Sequence, residues 1–348
     1  MNEAKLQEFM GKLVVDMGGA ALMANVIVGE ELGLYRAMAD GAPVTPEELA
    51  RRTGCHARLL REWLSAQAAS GYVEHESGHF RLPPEQALAL ANEDSPVYVA
   101  GGAVVLASLY LDKDKIKAAM RGDGALSWAD HHPCLFHGTE RFFRPGYRAN
   151  LVANWLPALD GVVPRLEQGA KVADIGCGHG ASTVILAQAF PKSTFHGFDF
   201  HEPSIEQARG RAADAGVERR VSFAKASAQE FPGSDFDLVC FFDCLHDMGD
   251  PVGAARQAHA ALKPGGTVLL VEPFAGDSLE ENLNPVGRLF YAASTCICTP
   301  NSLSQKVGLG LGAQAGEKRL REVFMEAGFS RFRRATETPF NLVLEARK

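Results

Sequence analysis

The sequence predicts an α/β protein: an open, largely parallel sheet with helices on both faces, preceded by a mostly helical front half. Three observations carry this. From about residue 165 onward, short apolar strand segments alternate with helical ones at βαβ spacing. A glycine-rich turn, Gly176-Cys177-Gly178-His179-Gly180, joins the first of these strands to its helix. Upstream, two short helices and a hairpin follow one another in the outline of a winged helix.

The chain has 348 residues, more than the ~100–200 of one domain, and 46% of them are hydrophobic, enough for a sizeable core. The expected division is a winged-helix-like helical domain over 1–95, a helical linker and pocket wall over 96–164, and the α/β domain over 165–348. Lys and Arg number 35 against 42 Asp and Glu, for a formal charge of -7. That balance argues against holding nucleic acid by bulk electrostatics, which needs clustered cations. The longest apolar stretches, such as Val97 to Leu111, fall short of the ~18–20 residues of a membrane span. Met1–Gly11 carries Glu3, Lys5 and Glu8 and does not read as a secretory signal. Seven cysteines scattered along the chain fit reduced thiols, so the expected compartment is the cytoplasm, with neither nucleic acid nor membrane as partner.

The first 40 residues read as helical, with Leu6, Phe9, Met10 and Leu13 on one face and a second apolar stretch from Ala20 to Val28. Two such segments ahead of any strand suggest a dimer interface. Thr45-Pro46-Glu47-Glu48 then opens a helix with an N-cap, a proline at the first helical position and acids in the first turn. A second helix carries Leu59, Leu60, Trp63 and Leu64. Tyr72–His75 and His79–Leu82 flank the turn Glu76-Ser77-Gly78 as a hairpin. Residues 41–82 hold five Arg, no Lys and five Glu, so this module is formally neutral and is read as dimerising or structural, with DNA contact through Arg58 and Arg61 the alternative. From Pro96 to Leu166 the chain is helical and aromatic; His131, His132 and His137 lie there without the spacing of a zinc motif.

Beyond Pro164, strands are expected at Lys171–Ile175, Thr194–Phe198, Val221–Ala224, Phe236–Phe242 and Thr267–Val271, with helices at Ala181–Phe190, Ser204–Ala215 and Pro251–Leu262 between them. A last helix, Gly316–Gly328, precedes strands near Phe329–Ala335 and Asn341–Ala346. The few residues between that pair allow only an antiparallel hairpin. Residues 275–315 read as a long insertion, helical around Arg288–Tyr291 and able to cover a pocket.

The glycine turn lets a ligand approach the backbone without a Cβ in the way. Asp174 stands two residues before Gly176, where a carboxylate could meet a ligand's ammonium group. Asp199, nineteen residues beyond Gly180 at the end of the next strand, could take both hydroxyls of a ribose. Gly176-x-Gly178-x-x-Ala181 also satisfies a relaxed dinucleotide fingerprint, so a nicotinamide dehydrogenase is an alternative at this point. The combination of Asp174, the glycine turn, Asp199, Leu262–Leu270 and the antiparallel end strand resembles the class I S-adenosylmethionine-dependent methyltransferases.

That resemblance implies a Rossmann-like seven-stranded sheet, with Asp174, Gly176, Gly178 and Gly180 near the methionine part of S-adenosylmethionine and Asp199 on its ribose. Phe200, Ser227 and Ala228 would lie by the adenine; many relatives carry an Asp where this chain has Ser227. After the fourth strand, Leu245-His246-Asp247-Met248 looks like the Leu-His-Asp-Trp motif of small-molecule O-methyltransferases with an N-terminal winged-helix dimerisation domain. The resemblance implies His246 as general base, with Glu272 and Glu317 matching the family's acids. Phe242 and Asp243, where relatives often carry Lys-Trp, count among the cofactor residues, and Met248 replaces the family Trp. A small-molecule acceptor, a hydroxyl reaction centre and a homodimer are what the resemblance implies. An S-adenosylmethionine-sensing DNA-binding regulator and an N- or S-methyltransferase without a base are the alternatives. Cys244, Cys296 and Cys298 form a possible thiol cluster beside the reaction centre, although no metal is expected.

Overall fold

The computed structural model describes residues 1–348. They form two compact units, residues 1–108 with 137–145, and residues 109–136 with 146–348. Residues 96–164, expected as one linking segment, are divided between the two.

In the first unit, the two expected apolar segments are one continuous helix, Glu3–Glu31, started by Asn2, whose side chain accepts from Lys5 N. This corrects the reading of the apolar stretches: with 29 residues and a mean hydropathy of 1.5 in its most apolar window, the helix is long and apolar enough to cross a membrane by length and composition. Only its second half is packed, with Leu22, Val26 and Gly29 buried in the core of the unit.

The winged-helix outline forms as the local signals dictate. Thr45 Oγ1 accepts from Glu48 N (3.2 Å) while Glu48 Oε2 accepts from Thr45 N (2.7 Å), a reciprocal cap that starts the helix Pro46–Thr53. A second helix, Ala57–Ala69, packs Leu60, Trp63 and Leu64 inward. Strands β1 (Glu74–Glu76) and β2 (His79–Arg81) pair antiparallel and are shorter than expected. Val44 exchanges two hydrogen bonds with Phe80 and so pairs the preceding segment with β2. Arg58 and Arg61 are engaged in ion pairs with Glu62 and Glu47.

A buried polar knot ties this unit together. Arg141 donates to Glu30 through two nitrogens (3.0 and 2.6 Å), to Glu93 (2.9 Å) and to the Tyr98 hydroxyl (2.8 Å). The hydrogen bond from Arg141 holds the Glu30 carboxyl below its usual range. Removing one partner of a buried pair strands the other charge.

The second unit is built on seven strands: β3 (Lys171–Ile175), β4 (Thr194–Asp199), β5 (Val221–Lys225), β6 (Phe236–Phe242), β7 (Leu262–Pro273), β8 (Arg331–Glu337) and β9 (Asn341–Arg347). Their order is β5-β4-β3-β6-β7-β9-β8, with β9 alone antiparallel to its neighbours. The order reverses between β3 and β6, which opens a crevice at the carboxyl ends of the parallel strands. Strand β7 begins five residues earlier than expected, because Leu262 already pairs with Phe236 before the register shifts to Leu238↔Thr267. Strand β8 starts later than expected: Phe329 is instead buried against Phe324. The apolar face of β3, β6 and β7 packs Val239, Phe241, Val268 and Leu270 against the helices Pro251–Ala261 and Gly316–Glu326.

Replacing Arg141 by Ala is expected to lower unfolding free energy by about 3–5 kcal/mol. The pair Glu30→Leu with Arg141→Met should recover most of that loss, and chemical denaturation of the three proteins measures both effects.

Candidate active site

The crevice begins at the end of β3. Gly176 and Gly178 turn the chain with φ of 70° and 51°, in the left-handed region that favours glycine. A Cβ on Gly176 would lie 2.8 Å from Cys244 Sγ, whereas one on Gly178 would project into open space. The Gly178 backbone is therefore open to approach. Asp174, the last polar group of β3, is buried. Its Oδ2 accepts from Ser182 Oγ (2.7 Å) and Thr183 Oγ1 (2.6 Å) in the first turn of the helix Ala181–Ala189, while its Oδ1 has no partner. Burial pushes the Asp174 carboxyl up to about 6, against the pull of those two hydroxyls.

Asp199 closes β4 and clasps the turn: its Oδ2 accepts from Gly178 N and its Oδ1 from His201 N, both at 2.9 Å. Burial raises its carboxyl, with these backbone donors opposing. Phe200 beside it is exposed. After β5, Ser227 offers its carbonyl to Glu230 N in a turn, and Ala228 packs on the sheet core.

At the end of β6, Phe242 is buried against the Tyr147 ring, with centroids 5.5 Å apart. Asp243 takes a left-handed φ of 50°, rare for a residue other than glycine. It is held there by Val271 O, which accepts from its N–H (2.8 Å), and by donors to both carboxylate oxygens, Tyr147 OH (3.0 Å) and Asn341 Nδ2 (3.1 Å). Burial and the nearby Glu272 carboxylate push the Asp243 carboxyl up to about 7.

A short 3₁₀ turn, Leu245–Asp247, follows and carries His246. His246 is 4% exposed and Glu272, near the end of the adjacent strand β7, 1%. Glu272 Oε2 lies 2.5 Å from His246 Nδ1, and Oε1 accepts from Leu245 N at 3.0 Å. One carboxylate thus binds both the turn and the ring it presents, and its pairing with Nδ1 turns Nε2 toward Asp247, whose Oδ1 is 3.2 Å away. Burial pulls His246 down, but Glu272 and Asp247 outweigh it and hold the imidazolium well above its ordinary range.

The segment 275–315 carries the helices Pro285–Cys296 and Cys298–Leu303. The second fastens the His246 turn. Asn301 Nδ2 donates to Asp247 O (3.1 Å), Ser302 Oγ to Met248 O (2.8 Å) and Gln305 Nε2 to Asp247 O (3.0 Å). It also brings Cys298 to His246 and Asp247. The three thiols singled out in the sequence do not converge: Cys244 Sγ donates to Ile175 O, and Cys296 packs with Ile116, Ala119 and Leu126. Glu317, opening the helix Gly316–Glu326, accepts from Arg321 (3.0 Å) and Arg334 (2.7 Å). Tyr147, Asn341 and the His131–Asp112 pair are site neighbours that no motif announces.

Residues 166–328 match the family model described as a methyltransferase domain, and residues 18–92 the Rv2258c-like winged HTH domain. The chain is 38% identical over 114 residues, 32% of its length, to the 27-O-demethylrifamycin SV methyltransferase of Amycolatopsis mediterranei, 41% of which is covered. It spans about half the length of the curated relatives it matches. Among solved structures, the mitomycin 7-O-methyltransferase superposes with a TM-score of 0.69 at 20% identity, covering 100% of both chains. Human N-acetylserotonin methyltransferase in complex with SAM does so at 0.70 and 18% identity, covering 97% of each. The fold is the Rossmann-like one of these enzymes behind a winged-helix domain. Residues 18–92 are thus similar to a winged HTH domain, and residues 166–328 to a methyltransferase domain.

Proposed function

We propose that this protein transfers a methyl group from S-adenosylmethionine to a hydroxyl oxygen of a small-molecule acceptor, with His246 as general base. The observation that carries the reading is the buried His246–Glu272 pair at the end of β6, in the crevice that also holds Asp174 and the glycine turn. The residues present fit the cofactor. Asp174 Oδ1 is a buried oxygen without a partner, suited to an ammonium group. Gly178 offers bare backbone, and Asp199 keeps acceptor capacity on oxygens that already anchor the turn. The exposed Phe200 ring supplies an apolar face for the adenine. Ser227 and Ala228 follow β5 on the same side, and Phe242 and Asp243 line the crevice at the end of β6.

When bound, S-adenosylmethionine supplies an electrophilic sulfonium methyl. A neutral hydroxyl attacks such a carbon poorly, so the chain's part is to remove its proton. The neutral form of His246, which Glu272 and Asp247 shift to higher pH, accepts that proton at Nε2, and Glu272 on Nδ1 stabilises the imidazolium that results and fixes the ring. Glu317 is then a helix-terminal acid that organises Arg321 and Arg334 and acts outside this pair. The name of the relative from Amycolatopsis supports an oxygen acceptor.

We also propose a homodimer in the cytoplasm. The first half of the helix Glu3–Glu31 leaves Phe9 58%, Val14 64% and Val15 73% exposed. A second copy is the occupant this apolar stretch suits, since burial of such surface contributes about 25 cal/mol per Å². Sedimentation should give a dimer for the wild type and a monomer for Val14→Glu with Val15→Glu. A wild-type monomer would remove the proposal.

Methyl-tritiated S-adenosylmethionine should label hydroxyl acceptors from a panel of phenols and secondary alcohols. His246→Ala should cut that turnover about 10²–10⁴-fold while leaving S-adenosylhomocysteine affinity, measured by calorimetry, unchanged. Equal turnover in the variant would exclude the base role and leave the methyltransferase reading intact.

Cofactor affinity should also depend on pH through Asp174. With its carboxyl pushed up to about 6, the group is charged above that pH and neutral below it. S-adenosylhomocysteine affinity should therefore hold above pH 6 and weaken as the pH falls through it. In Asp174→Asn the affinity should be lower and this limb absent.

A further inference from the structure

Glu272 occupies Nδ1 of His246, and what faces Nε2 is a set of donors rather than an apolar wall. Asp247 Oδ1 is 3.2 Å from Nε2, and His246, Asp247 and Cys298 each bring one ligand-type atom within 4.8 Å of the others. An imidazole nitrogen, a carboxylate oxygen and a thiol sulfur together are a donor set for a borderline-soft divalent cation, and with three protein donors the fourth tetrahedral position stays open.

Two further features point to a cation. A carboxylate behind the imidazole, here Glu272 at 2.5 Å, is the arrangement that fixes the tautomer and raises the basicity of metal-binding histidines. Buried acceptors on this side also lack donors. Asp247 Oδ1 accepts no hydrogen bond. His131, with its side chain 1% exposed, is held by Asp112 through Nδ1 (3.0 Å); its Nε2 has no hydrogen-bond partner, and the ring lies within electrostatic reach of Asp247. Asp112 is itself anchored by Lys115 (2.8 Å) and His132 N (2.8 Å), so the His131 ring is fixed in place. Buried acceptors are rarely left empty, and a cation satisfies several at once.

We infer that His246 Nε2, Asp247 Oδ1 and Cys298 Sγ bind one thiophilic divalent cation, Zn²⁺ being the ion this set fits. On binding, the Cys298 S–H and His246 Nε2–H bonds break, both protons pass to solvent, and the freed sulfur and nitrogen lone pairs go to the metal. The thiolate and the Asp247 carboxylate then balance the charge of the ion. The lone pair of Nε2 cannot hold a metal and receive an acceptor's proton together. Occupancy therefore silences the base; this consequence rests on the methyl-transfer reading, whereas the binding itself does not.

The test is a Co²⁺ titration of the full-length protein after chelator treatment, followed by absorption. One equivalent should produce a near-ultraviolet thiolate-to-cobalt charge-transfer band with the intense visible bands of a four-coordinate ion, and one equivalent of Zn²⁺ should abolish both. Cys298→Ala should lose the charge-transfer band, and Asp247→Asn should weaken binding at least about tenfold. S-adenosylhomocysteine binding by Cys298→Ala, at wild-type affinity, reports that the variant is folded. Absence of the band in the wild type overturns the inference. So does a band that survives Cys298→Ala, which would locate the ion at the exposed His132–Cys134 pair, 3.1 Å apart. Failure of the wild type to bind S-adenosylhomocysteine would instead sink the methyltransferase reading and leave the cation site standing.

Discussion

The site depends on one buried carboxylate. Glu272 lies near the end of β7 with almost no solvent, and its oxygens are satisfied by Leu245 N and His246 Nδ1. An ionised acid in such a place is tolerable only with donors held at it, so the chain after β6 is obliged to turn back over the strand end. That obligation places the His246 ring. It also sets the position of Asp243, whose N–H goes to Val271 O, the residue before Glu272. The β6–β7 register, Phe242↔Val271, is thus the geometric reference for three functional side chains.

The same carboxylate organises the electrostatics. Its charge raises Asp243, supports the imidazolium of His246 and raises Asp247, while burial acts on all of them. Negative groups crowd one end of the sheet around a single imidazole. This arrangement suits a reaction in which positive charge develops on that ring, and it equally suits a bound cation. Asp174 and Asp199 lie along the same edge but serve another task. Their oxygens hold the first helix turn and the glycine turn in place, and only Asp174 Oδ1 remains unspent.

The winged-helix unit solves a different problem. Its core is small, and it adds the Arg141 knot, which links residues 30, 93, 98 and 141 through charge-assisted hydrogen bonds. Arg58 and Arg61 of the helix Ala57–Ala69 are balanced by Glu62 and Glu47, as the neutral composition of the module suggests. The long first helix is the exception to self-sufficiency, since its first half has no apolar partner within the unit.

Much of this protein was determined by local sequence. Alternation of strand and helix signals set the parallel strands, because periodicity and turn residues act over a few neighbours. The spacing of Asp174, Gly176, Gly178 and Asp199 marked the turn, and His246 and Glu272 each sat at a strand end. Only tertiary structure decided which groups meet. Cys298 comes to His246 across 52 residues, Tyr147 and Asn341 come to Asp243, and Asp112 takes His131. Glu317, matched to a family acid by position, meets Arg321 and Arg334. The union of the first two apolar segments into the single helix Glu3–Glu31, and the short helix Cys298–Leu303, were likewise not legible locally. A side chain's partners depend on how distant segments close around one buried charge, and no local pattern encodes that closure.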